Sequence, residues 1–112
     1  MNETATTDEY VESSGNVFAD MGLEEADELL TRAQLGYSVR QILKDRGLKQ
    51  QDIVTLLDIK QPEVSNLMQG KYHLFFEGRL FSFLRKLDQK VIIQISQHQD
   101  GEPFQQVAMG NI

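Results

Sequence analysis

Between Lys49 and Gly70 the chain reads KQQDIVTLLDIKQPEVSNLMQG, and this stretch limits the fold more than any other. Ile53, Leu56, Leu57, Ile59, Val64, Leu67 and Met68 recur at helical spacing and would close two short helices onto a common core. The helices are expected at about 49 to 57 and 61 to 68, leaving a turn of three to four residues between them. Pro62 falls in the first turn of the second helix, where its missing N–H costs little. Gln50, Gln51, Gln61, Glu63, Ser65 and Asn66 are left facing outward. Two amphipathic helices joined by so short a turn make a helix-turn-helix, in which the second helix enters a DNA major groove.

The same stretch resembles the XRE/Cro-type helix-turn-helix family at particular positions. Gln50 at the start of the first motif helix, Val64 inside the second, and the pair Gly70-Lys71 after it match the family pattern. Val54 stands where the family usually carries alanine, and is expected to widen the packing between the helices. Asp58 stands where a turn glycine is usual, which implies φ > 0 at a residue that tolerates it better than most. NVFADMGLEEADELL (Asn16 to Leu30), RGLKQ and QPEVSNLMQGKY are similar to a subgroup of HigA-type antitoxins and their stand-alone relatives. That resemblance covers roughly residues 16 to 96. It implies an all-α, lambda-repressor-like bundle that binds double-stranded DNA and represses its own operon. The alternative it implies is an antitoxin that neutralises an mRNA-cutting toxin by protein–protein contact.

Candidate base-reading residues are Gln61, Pro62, Glu63, Ser65 and Asn66. Asn and Gln can pair bidentately with adenine, Glu can accept from cytosine N4, and Pro62 offers an apolar contact to a thymine methyl. The bland alternative is an ordinary polar helix face. Lys49, Gln50, Gln51, Lys60 and Lys71 flank the motif and suit phosphate contacts, which position a protein without reading sequence. Gln50 opens a helix whose N-terminal N–H groups favour a phosphate; simple capping is the competing reading. Arg79 is a weaker candidate. Phe75, Phe76, Phe81 and Phe83 are better explained as core than as base-stacking platforms, because a domain this small needs large side chains inside. His73 and His98 lack the company of a metal or catalytic site, and no catalytic constellation stands out, so neither an enzyme nor a cofactor is expected.

The net charge of −6 taken alone argues against nucleic acid, but its distribution reverses the inference. Residues 1 to 28 hold nine acids and no base. All eleven bases lie between Arg32 and Lys90, against six acids there, which leaves that body at +5. Affinity for phosphate follows the charge of the contacting face rather than the total. The absence of cysteine excludes disulfides and thiolate metal sites. With neither a secretory pattern nor an 18-residue apolar run, no membrane span and a cytoplasmic location are expected.

At 112 residues a single domain is expected. Residues 1 to 15 are polar and acidic without period, and disorder is expected there. The apolar Val17, Phe18, Met21 and Leu23 that follow can anchor a partner or pack on the core. A first helix runs from Leu23 towards Arg46, with Asp20 as N-cap, Gly47 as stop and Ala26, Leu29, Leu30, Ala33 and Tyr37 as its apolar spacing. Gly36 leaves open whether this is one helix or two. A fourth helix is expected over Glu77 to Leu87, burying Leu80, Phe81 and Leu84, with Phe83 partly covered. Val91, Ile92, Ile93, Gln94, Ile95 and Ser96 then read as a strand. It has no partner in the chain, so a homodimer pairing this strand antiparallel across a two-fold axis is expected. Residues 97 to 112 read as a flexible tail, with Phe104, Val107 and Met109 its only apolar exceptions.

Overall fold

Leu23–Asp45 form a single helix, α1, that runs unbroken through Gly36. The computed structural model describes residues 23–110, with side chains from Glu25 onward, so the acidic arm, the Asp20 cap and the apolar residues between them lie outside the described residues. The C-terminal half of α1 buries Leu35, Val39, Ile42 and Leu43, one face at helical spacing. Another flank of the helix differs from expectation: Leu30 and Tyr37 are exposed, whereas Asp27, Thr31 and Ser38 are buried.

The reason lies at the other end of the chain. The N–H groups of Phe104 and Val107 donate to Asp27 Oδ2 (3.1 Å) and Gln34 Oε1 (3.0 Å). Gln105 Nε2 donates to Thr31 Oγ1 (2.6 Å), and Ser38 Oγ donates to Met109 Sδ (2.9 Å). Residues 104 to 109 therefore run alongside α1 in the same direction, and polar α1 side chains supply the acceptors that an unpaired backbone needs.

The motif helices are α2, Gln50–Leu57, and α3, Gln61–Met68, joined by the three residues Asp58 to Lys60. Both begin alike. Asp52 Oδ2 accepts the Lys49 N–H at 3.1 Å, and Glu63 Oε1 accepts the Lys60 N–H at 3.3 Å. A carboxylate at the third helical position thus reaches back to an orphan donor and meets the positive end of the helix dipole. A short 3-10 turn, Tyr72–Leu74, leads to α4, Glu77–Lys86. Along α4 the buried residues are Leu80, Phe83 and Leu84, followed by Leu87, with Phe81 only partly covered. The expected roles of Phe81 and Phe83 are therefore exchanged, because the inward stripe runs 80, 83, 84, 87.

Among the described residues, each of the four α-helices ends on a left-handed residue: Gly47, Asp58, Gly70 and Asp88. In each case the next N–H closes back five residues, to Leu43, Val54, Asn66 and Leu84 respectively. Cations from other elements cap three of these ends. Arg40 Nε donates to Met68 O at the end of α3 (2.9 Å), Lys86 Nζ to Leu57 O of α2 (2.9 Å), and Arg46 Nη2 to Leu87 O beyond α4 (2.7 Å). Positive charge at a helix C-terminus complements the dipole, and here it also ties each helix to a neighbour.

Among the described residues no strand pairing forms. Val91 to Ser96 carries no regular structure, and Ile92, Ile93 and Ile95 are 76%, 71% and 93% exposed. A single strand within one chain has nothing to pair with. No helix among the described residues is long and apolar enough to cross a membrane.

Candidate nucleic-acid interface

Val64 and Leu67 are wholly buried and fix one face of α3 to the core, which turns Gln61, Pro62, Ser65 and Asn66 outward or to the rim. Gln61 and Gln50 each stand at the first position of a motif helix, and the structure joins them: Gln61 Nε2 donates to Gln50 Oε1. The Gln61 amide keeps its carbonyl oxygen and a second N–H for another partner. The spacing that creates this pair is visible in the chain as a repeat eleven residues apart, Lys49-Gln50-Gln51-Asp52 and Lys60-Gln61-Pro62-Glu63.

The remaining α3 candidates divide by what already holds them. The Asn66 side chain is half-buried and makes no hydrogen bond among the described residues. Ser65 Oγ accepts Gln69 Nε2 at 3.0 Å, which brings in Gln69, an exposed residue the sequence reading missed although it lies one turn beyond Ser65. Glu63 is different: besides the Lys60 N–H, its carboxylate receives Arg79 Nη1 at 2.6 Å. The Arg79 hydrogen bond, aided by the Lys60 N–H, holds the Glu63 carboxyl below the ordinary glutamate range against the opposing effect of burial.

Lys49, Gln50, Gln51, Lys60 and Lys71 are all exposed around the motif. Five of the eleven bases are engaged within the fold: Arg32 with Glu77, Arg79 with Glu63, and Arg40, Arg46 and Lys86 on helix ends. The other six are Lys44, Lys49, Lys60, Lys71, Arg85 and Lys90. Three of these six, Lys49, Lys60 and Lys71, lie on or beside the two motif helices.

The phenylalanines divide as well. Phe75 and Phe83 meet edge-to-face in the core, 5.8 Å between centroids. Phe76, grouped with the core residues in the sequence reading, is 68% exposed, with the Arg32 guanidinium 5.0 Å from its ring centre.

A short-turned helix pair, a polar outer face on its second helix and lysines flanking it define a helix-turn-helix DNA-binding protein of the transcription-regulator class. A profile of the helix-turn-helix domain family matches residues 17–96, and the chain belongs to that family. It is also similar to a solved structure assigned to the XRE family of transcriptional regulators. The two share 28% identity with a TM-score of 0.67, over 79% of this chain and 99% of the other. Comparison with curated proteins gives no match.

Proposed function

We propose that the chain reads a specific operator as a homodimer, with α3 in the major groove, and represses its own operon. The observation that carries the reading is the unpartnered Asn66 amide one turn along α3 from the Gln61–Gln50 pair, on a face ringed by lysines. Gln61, steadied by Gln50, and Asn66 each have the donor–acceptor pair that adenine presents a match for; Pro62 and Ser65 lie between them. Lys49, Gln51, Lys60 and Lys71 supply phosphate contacts. Replacing Asn66 by Ala should cost roughly 1–3 kcal/mol on the preferred duplex alone. Lys71→Ala should weaken all duplexes alike and flatten the salt dependence. Equal losses from both variants on every sequence would remove the base-reading role of Asn66.

Dimerisation through Val91 to Ser96 is supported by its exposed isoleucines and by the space behind them. An open cavity of about 820 Å³ is lined by Leu35, Phe81, Leu84 and Val107 together with Val91 to Ser96. A second copy's strand offers both the missing ladder groups and apolar filling. Burying Ile92, Ile93 and Ile95 contributes about 1.5–3 kcal/mol per side chain on each copy, which must offset the freedom lost on association. Truncation after Lys90 should yield a monomer with weakened operator binding; a full-length chain that is already monomeric in light scattering at micromolar concentration rejects the dimer.

A second reading, neutralisation of an mRNA-cutting toxin, is favoured by the nine acids and absence of bases in residues 1 to 28, which suit a basic partner better than DNA. Pull-down from the native host with full-length chain and with residues 1 to 15 deleted tests it. Equal recovery, or no partner from either, rejects it.

A further inference from the structure

Glu63 lies two positions after Gln61 and three before Asn66, yet its carboxylate is turned back into the fold. One oxygen holds the Lys60 N–H at the helix start (3.3 Å) and the other meets Arg79 Nη1 (2.6 Å). The Arg79 guanidinium sits 5.4 Å from the Phe75 ring centre and 5.5 Å from that of Phe83. Those two rings are 1% and 2% exposed, so the cation rests against the close-packed core. An unbroken series of contacts thus runs from the aromatic core through Arg79 and Glu63 to the first turn of α3.

We infer that Arg79 and Glu63 are positioning residues for DNA reading, and that Glu63 does not read a base. Gln61 and Asn66 flank Glu63 along the two turns of α3, so a tilt of the helix moves both amides against their base edges together. Bidentate pairing tolerates little such movement. The pair has a second effect of the same sign. A bare carboxylate on the groove-facing helix would repel phosphate, and Arg79 cancels that charge in place. The inference rests on the DNA-binding reading above and adds which residues set its discrimination.

The test uses the full chain and a randomised duplex library. Wild type, Glu63→Gln, Arg79→Met, Arg79→Lys and the Glu63→Gln/Arg79→Met double variant are each selected. Their affinities are then measured on the preferred wild-type duplex and on a scrambled one, with thermal melting to establish folding. Glu63→Gln and Arg79→Met should each reduce the ratio of the two affinities about tenfold, a usual size for coupled neighbours. The double variant should lose no more than either single one, Arg79→Lys should recover part of the loss, and the preference should weaken across the whole half-site. Loss of preference at a single base pair in Glu63→Gln, with Arg79→Met reading normally, would show that Glu63 reads a base and overturn the inference. Unchanged ratios in folded variants overturn it as well while leaving the DNA-binding reading intact. A wild-type chain that selects no sequence removes both.

Discussion

Tyr72 closes over Gly36 so tightly that a Cβ built on the glycine would lie 2.7 Å from the tyrosine Cβ and 2.5 Å from its Cγ. This explains a glycine in the middle of α1, where it costs about 1 kcal/mol relative to alanine. The 3-10 turn that follows the recognition helix needs that space to dock. Gly36→Ala should therefore destabilise the fold by about 1–3 kcal/mol despite its better helix propensity, because the ring must move away. Chemical denaturation checks this. A second readout is the Tyr72 phenol, which burial pushes above the ordinary value of 10.0 against the lowering effect of Arg40. Its contribution to stability is complete below the unfolded-state pKa and is lost as pH rises through the raised folded one. Gly36→Ala should return the phenol towards its ordinary value in an ultraviolet titration; an unchanged titration and unchanged stability would mean that the contact does not matter.

Arg40 ties α1 to the C-terminal carbonyl of the recognition helix, Met68 O. A charged hydrogen bond of this kind contributes about 1.5–3 kcal/mol, and Arg40→Ala should lose an amount in that range. Exposed Arg85, for which no side-chain hydrogen bond or ion pair occurs among the described residues, is the control, and Arg85→Ala should cost under about 0.5 kcal/mol. Urea unfolding of the two variants side by side decides the matter. Equal costs would deny Arg40 its capping role.

Asp58 occupies the left-handed region at φ 56° in the turn of the motif. Glycine adopts that conformation without steric penalty, so Asp58→Gly should stabilise the chain by about 0.5–1 kcal/mol while leaving the turn unchanged. A lower melting temperature in this variant would mean that the aspartate side chain contributes something the backbone argument omits.

The parts of the fold that local pattern controls were legible in the chain. The motif helices fall at Gln50–Leu57 and Gln61–Met68 because Ile53, Leu57, Val64 and Leu67 mark a single buried face, and the positive φ at Asp58 follows from its place in a three-residue turn. What escaped depends on partners distant in sequence. Asp27, Thr31 and Ser38 look like solvent-facing residues until the backbone of residues 104 to 109 lies against that flank of α1. Glu63 reads as an outward carboxylate until Arg79, sixteen residues on, is brought beside it. Phe81 and Phe83 exchanged roles because two adjacent readings of a short helix differ by one step of rotation. The pairing of Gln50 with Gln61 was accessible in principle, through the repeated Lys-Gln start of the two motif helices.

Operator recognition, as proposed, depends most on α3 reading sequence from two copies at once. Selection of the full-length chain on a randomised duplex library tests this directly. The predicted result is a two-fold-symmetric consensus whose half-sites lie about one helical turn, roughly 10 base pairs, apart. Asn66→Ala should lose one position in each half-site, and truncation after Lys90 should bind far more weakly. Recovery of no preferred sequence, with affinity that depends on salt alone, would contradict the account.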